Sequence, residues 1–242
     1  MPSTTKKVAL VTGANKGIGF EVARQLGAAG CTVLLGARNR TLGTEAAAKL
    51  IAEGLEVRYL AIDVTDVSTV AAAARRIADD FGRLDILVNN AGTNDPDDGP
   101  APAAQLDAVE RVLRTNFFGA LAVTQAMLPL LSASPAGRIV NVSSGLGSLT
   151  RSASPNPSST NLIGYSASKA ALNMLTVQLA RLLRDTTIKV NSAAPGYTAT
   201  ALNGFRGIQT IPEGAAETVR LALLPDDGPS GTFSESGGLV PW

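Results

Sequence analysis

Short apolar runs rich in β-branched residues alternate along this chain with longer segments of helical period, and no other feature limits the fold as tightly. The runs are "KVALVTG" (7–13), "TVLLGA" (32–37), "EVRYLAID" (56–63), "LDILVNNAG" (84–92), "GRIVNVSS" (137–144) and "IKVNSAAPG" (188–196). A shorter one lies near 231–234. Between them sit helical stretches at 18–30, 41–54, 66–82, 116–131, 165–184 and about 212–224. Gly30, Gly54 and Gly82 close the first three, a common helix stop. Asp66 or Ser68 stands where the third helix needs an N-cap. Strands separated by helices imply crossovers and a parallel sheet. Parallel strands covered on both faces read as continuous apolar runs, as these do. The expected fold is a doubly wound α/β domain over 1–242, with about seven parallel strands and helices on both faces. Such folds bind ligands beyond the C-terminal ends of their strands.

The 242 residues suffice for one sizeable core, and 45% apolar with 17% charged residues is a globular composition. The net charge of +1 offers no basic field to nucleic acid or an anionic membrane. No apolar run is long enough to span a bilayer, and the one near the N-terminus is too short for a signal-peptide core. A cytoplasmic location is therefore expected. Cys31 is the only cysteine, which excludes an internal disulfide and a multi-cysteine zinc site. It reads as a small buried residue. No metal site is expected. The chain has no histidine. A Ser-His-Asp hydrolase, a His-ligated metal and a histidine proton shuttle are all excluded. Acid–base chemistry falls to Tyr, Lys, Asp, Glu or Cys.

The first run ends in "TGANKGIG" (12–19), and a helix follows directly. Gly13, Gly17 and Gly19 permit positive φ and close approach of a phosphate. The helix that follows offers unpaired N–H groups and a positive end. Gly13, Asn15, Lys16, Gly17, Ile18 and Gly19 are thus candidate phosphate-facing residues. The spacing differs from G-x-G-x-x-G, and such a turn alone suits a tight bend equally well. Its place between strand one and helix one favours the ligand, and so a Rossmann-type fold. About twenty residues on, a carboxylate would bind the ribose 2′-OH of NAD, whereas arginine accommodates the 2′-phosphate of NADP. Here "LLGARN" puts Ala37 and Arg38 at that place. Singly, Lys16 and Arg38 read as solvated charges. Together, with no carboxylate, they favour NADPH/NADP.

Tyr165 and Lys169, in "GYSASKAALNML" (164–175), are four residues apart and share one helix face. They are a surface pair or an acid with its tuning group. A free phenol has a pKa of about 10, and a nearby ammonium lowers it. With no histidine in the chain, Tyr165 has no evident rival as the acid.

Taken in order, "TGANKGIG" (12–19), "DV" (63–64), "NNAG" (89–92), Asn116, "VSS" (142–144), "YSASK" (165–169) and "PGYTAT" (195–200) resemble the short-chain dehydrogenases/reductases. The likeness covers nearly the whole chain. Within that family "GANKGIG", "GARN" and "LALLPDDGPSGTF" look most like the NADPH-dependent carbonyl reductases. The resemblance implies that Asp63 and Val64 flank the adenine, and that Asn90, Ala91 and Gly92 floor its ribose. It implies Tyr165 as the acid–base residue, Lys169 on the nicotinamide ribose, and Ser144 on the substrate oxygen. The residues alone do not choose Ser144 over Ser143. Asn116 would help hold a water that links Lys169 to solvent. Pro195, Gly196, Thr198 and Thr200 would lie along the nicotinamide and pyrophosphate. The implied function is reduction of a small-molecule ketone or aldehyde. Alternatives on the same site are a secondary-alcohol dehydrogenase, a 3-ketoacyl reductase, or a non-catalytic NADP-binding regulator.

The chain departs from the family in the Ser/Pro/Asn-rich loop at 149–161, which lengthens the gap between Ser144 and Tyr165. This loop is expected to border the substrate. The region 199–211 reads as a flexible lid, whose Leu202, Phe205 and Ile208 predict an apolar pocket. Relatives assemble through the long helices at 103–131 and 165–184. The inserted loop favours a monomer here, with a homo-oligomer as the alternative.

Overall fold

A computed structural model describes residues 6–156, 158 and 160–242. Seven parallel strands follow the predicted runs: β1 (Val8–Thr12), β2 (Thr32–Ala37), β3 (Val57–Ala61), β4 (Ile86–Asn89), β5 (Arg138–Val142), β6 (Lys189–Ala193) and β7 (Phe233–Glu235). An eighth, β8 (Gly238–Leu239), turns back antiparallel on β7. With only two residues it carries no period that a sequence reading detects. The sheet order is β3-β2-β1-β4-β5-β6-β7-β8. The order reverses between β1 and β4, and the crevice above that point is where such sheets bind ligands.

Side chains alternate across the sheet, so each strand feeds two cores. In β1, Ala9 and Val11 join one apolar cluster, while Val8 and Leu10 join the other. The first cluster is covered by α1 (Gly17–Ala28), α2 (Arg40–Ala52) and, near the C-terminus, the helix Ile211–Ala222. The second is covered by α3 (Val67–Phe81), by the helical run through α4 (Leu106–Leu113) and α5 (Ala120–Ser132), and by Ile163–Leu182. A short helix α6 (Leu149–Ser152) precedes the last of these, so Ile163–Leu182 is α7 and Ile211–Ala222 is α8. Asp66 caps α3, its Oδ1 accepting from Ser68 N at 2.8 Å, and Gly82 ends it at φ +69°. None of the described helices is long and apolar enough to cross a membrane.

Three expectations need correction. The helix expected from 116 starts ten residues earlier, at Leu106, and passes through a π-turn over Arg114–Gly119. Asn116 lies inside that turn and does not open the helix. The loop at 149–161 is not wholly irregular, since it begins with α6. Pro157 and Ser159 of that loop lie outside the described residues. The lid at 199–211 has local order as well. It contains a 3-10 turn at Ala201–Asn203 and a bridge between Thr198 and Gln209.

A buried polar ladder holds α5 and α7 to the sheet centre. Asn89 Nδ2 donates to Thr124 Oγ1 and to Asn141 Oδ1, both at 2.9 Å. Asn141 Nδ2 donates to Thr176 Oγ1 at 2.8 Å, and Thr176 meets Ser192 Oγ at 2.8 Å. Asn141 is the middle link: it gives Asn89 Nδ2 and Thr176 Oγ1 one partner each, beside Thr124 for the first and Leu172 O and Ser192 for the second. Asn141→Leu is expected to destabilise the fold by about 1–3 kcal/mol, the cost of losing two buried hydrogen bonds. Urea denaturation would measure this, and a loss under 1 kcal/mol would contradict the ladder's role.

Candidate active site

The C-terminal strand ends open on a cleft of about 1330 Å³. Typical small-molecule pockets hold roughly 300–1,000 Å³, so a dinucleotide and a second molecule fit together. The glycine turn after β1 forms one wall. Gly13 has φ +64°, and a Cβ there would lie 2.8 Å from Ala91 Cα. A Cβ on Gly19 would lie 2.3 Å from Asn90 Nδ2. That amide donates to Thr12 O at 2.8 Å and to Gly13 O at 3.2 Å, bracing the end of β4 against the turn. Asn15, Lys16, Gly17 and Ile18 line the same wall, and the N-terminus of α1 has no side-chain cap. The result is a cradle of backbone without intruding side chains, with the positive end of a helix behind it. This fits a phosphate.

Lys16 and Arg38 are exposed at its rim, and buried Ala37 ends β2 between them and the sheet. Asp63 and Val64 line the cleft beyond β3. Asp63 Oδ1 also accepts from Thr65 N at 2.9 Å and Thr65 Oγ1 at 2.7 Å, so it shapes its own turn. Ala91 and Gly92 line the floor. Opposite, Pro195, Gly196, Thr198 and Thr200 form the second wall, with Thr200 Cγ2 facing Gly17. Thr198 itself is buried, its hydroxyl donating to Pro195 O at 3.0 Å.

At the far end α7 presents Tyr165 and Lys169. Lys169 is buried, and its Nζ donates to Val142 O at 2.8 Å. The same Nζ lies 5.6 Å from the centre of the Tyr165 ring. The two serines after β5 separate: Ser143 turns inward, Oγ to Lys169 O at 3.4 Å, while half-buried Ser144 neighbours the Tyr165 hydroxyl. Burial pushes the Tyr165 phenol above its ordinary value, and the Ser144 hydrogen bond only partly opposes this. In the protein without cofactor, burial outweighs any lowering by the lysine. The same burial brings Lys169 down to about 8, so that it still carries its proton near neutral pH.

Asn116 is the one candidate that does not line the cleft. Its Oδ1 accepts from Thr93 N at 2.8 Å, and its Nδ2 donates to Thr93 O at 2.9 Å and Ser168 Oγ at 3.0 Å. Its side chain pins a loop to α7. A Cβ on Gly92 would stand 3.5 Å from both Asn116 Oδ1 and Lys169 Nζ.

The remaining wall joins apolar residues, Leu146, Leu162 and Ile211 among them, to polar ones. Leu202 and Phe205 line it, but Ile208 is 88% exposed and does not. Ser152, Ser154, Asn156, Ser158 and Thr160 face the cleft from the inserted loop. Arg151 and Glu235 face it as a bidentate pair at 2.7 and 3.1 Å. Ser148 Oγ and Thr150 Oγ1 tie this loop to Pro241 O and Trp242 O at 2.7 and 2.6 Å. Sequence reasoning missed Arg151, Glu235 and the buried Asp98, which meets the start of α7. Their partners lie 66–84 positions away, and no local pattern marks such pairs. Among the described residues no His, Cys, Asp or Glu side chains gather to hold a metal.

The sequence profile of the short chain dehydrogenases matches residues 7–209. Salutaridine reductase of Papaver bracteatum is 35% identical over 98% of this chain and 97% of its own. (−)-Isopiperitenone reductase of Mentha piperita is 34% identical over 94% and 96%. The NADPH-bound carbonyl reductase from chicken fatty liver superposes with a TM-score of 0.85 at 28% identity, covering 98% of this chain and 99% of that one. The order of motifs, the sheet with its cleft and these likenesses agree: the chain belongs to the short-chain dehydrogenase/reductase family and is an oxidoreductase of that family.

Proposed function

We propose that this protein reduces ketone or aldehyde carbonyls of small molecules, using NADPH. The observation that carries the reading is one continuous cleft. It runs from a phosphate cradle rimmed by two cations to Ser144, Tyr165 and Lys169. Lys16 and Arg38 would hold the 2′-phosphate, since no carboxylate stands at the end of β2 to claim a free 2′-hydroxyl. Bound there, the reduced nicotinamide supplies hydride to the carbonyl carbon. Ser144 donates a hydrogen bond to the carbonyl oxygen as negative charge grows on it. Tyr165 gives that oxygen its proton. Lys169 holds a ribose hydroxyl and places positive charge beside the phenol.

Burial keeps Tyr165 in the phenol form. A phenol is ready to give a proton, which suits reduction. Alcohol oxidation begins by taking one and needs the phenolate, which burial disfavours. The polar loop with Arg151 and Glu235 supports substrates that carry hydrogen-bonding groups besides the reacting carbonyl.

NADPH oxidation is expected with a carbonyl panel, and Tyr165→Phe is expected to lower kcat on the order of 10²–10⁴-fold. Lys16→Ala with Arg38→Ala is expected to raise the KM for NADPH about 10–100-fold, with NADH little changed. Turnover that prefers NADH, or that survives Tyr165→Phe, would overturn the reading. Arg151→Met is expected to lower kcat/KM for hydroxylated or carboxylated ketones and to spare plain alkyl ketones. Equal effects on both would remove the polar wall from substrate choice.

Lys169 gives a further expectation through linkage. The unfolded chain holds this proton up to pH near 10.5, the folded one only to about 8. Between these values the unfolded state binds more protons, so stability rises with pH across the window. Below pH 8 the penalty is complete. Lys169→Met should therefore stabilise the cofactor-free protein at pH 7, by roughly 1–3 kcal/mol after the loss of its bond to Val142 O. The gain should fade by pH 10.5, while turnover is lost. Denaturant titrations at several pH values would show a destabilised variant if the lysine were a simple structural tie.

A further inference from the structure

We infer that Asp98, in the proline-rich loop between β4 and α4, is the positioning residue for Tyr165. The inference rests on Tyr165 being the proton donor. Helix α7 has no cap of its own, since Leu162 stands at its N-cap position and makes no side-chain bond. First-turn amides find no partner inside a helix and must be met from outside. Here the loop meets all three. Gly99 O accepts from Ile163 N at 2.9 Å. Asp98 Oδ1 accepts from Gly164 N at 2.9 Å, and Oδ2 accepts from Tyr165 N at 2.8 Å. Ser166 is the first residue to bond back within the segment, to Leu162 O at 2.9 Å.

The geometry does more than finish a helix. Tyr165 is only the third residue of α7, in the turn most prone to fray. A hydroxyl cap would hold that turn at one point. A carboxylate bonded through both oxygens to adjacent peptides fixes its tilt as well. These bonds are charge-assisted and lie at the positive end of the helix, so they are strong ones. Asp98 is only 7% exposed, which keeps water from competing. Gly164 makes the approach possible: a Cβ there would lie 3.1 Å from Asp98 Oδ2 and 3.1 Å from Val109 Cα. The loop is itself anchored on α4, where Arg111 donates to both Asp95 oxygens at 2.8 and 3.2 Å. Asp98 touches neither substrate nor cofactor in this scheme. It acts by setting where the Tyr165 backbone, and hence its hydroxyl, stands.

The test uses the full chain with NADPH and a ketone it reduces, comparing Asp98→Ala, Asp98→Asn and Tyr165→Phe. A donor displaced by about 1 Å loses about 10–100-fold in rate. Asp98→Ala is expected to lower kcat by that factor and leave the NADPH dissociation constant within twofold. It should also raise the solvent deuterium isotope effect on kcat, because proton delivery becomes limiting. Asp98→Asn keeps one accepting oxygen and is expected to recover part of the loss. It also serves if the alanine variant does not fold. A folded Asp98→Ala protein with kcat within twofold of the parent would overturn the inference. So would both variants losing NADPH affinity in step with kcat, which marks Asp98 as a general brace. The donor assignment is read separately: if Tyr165→Phe keeps its turnover, that assignment fails and takes this inference with it. If only the Asp98 variants keep theirs, the inference alone fails.

Discussion

Lys169 Nζ donates to Val142 O at 2.8 Å, and much of the site hangs on that contact. Val142 ends β5, two residues before Ser144, while Lys169 lies one turn beyond Tyr165 on α7. One bond thus joins the two elements that carry the reactive side chains. It also explains how an ammonium survives almost out of water. A buried cation with no anion beside it is costly, and a carbonyl oxygen offsets only part of that cost. The deficit appears as the fall of Lys169 to about 8. The ladder from Asn89 through Asn141 to Ser192 lies beneath this contact and keeps helix and strand in register.

In the proposed reduction the same burial bears on the direction of proton transfer. Tyr165 and Lys169 share a dry space, and dryness disfavours the charged form of each. Both move towards neutrality, the phenol upward and the ammonium downward. A neutral phenol beside a lysine that still carries its proton near neutral pH is a stock of two protons. That state is suited to delivery rather than collection.

Much of this was legible in the residues, because it rests on local pattern. Apolar runs broken by helical segments gave the parallel sheet, since strand and helix periods are read within a dozen residues. The glycine turn and the Tyr165–Lys169 spacing are just as local. The π-turn around Asn116 was not legible, for one added residue per turn leaves the apolar period almost unchanged. Nor was the direction of the Tyr165 shift, since spacing reveals a neighbouring charge but not the depth of burial. Asp98 and the Arg151–Glu235 pair stayed hidden because their partners are brought close only by the finished fold. The polar groups of the remaining cleft wall escaped for the same reason: residues at 199–211 are visible as letters, but their exposure is not.

The cleft is assembled from separate lengths of chain. The cradle, the cations and the adenine side come from the strand ends of β1 to β4. The rest of the cleft comes from α6 and its loop, from the segment after β6, and from Glu235 at the end of β7. Few residues belong to both. Mutations can therefore accumulate on the second set without disturbing the first. If the proposed function holds, a lineage built this way can keep its reducing agent fixed while it trades one carbonyl compound for another.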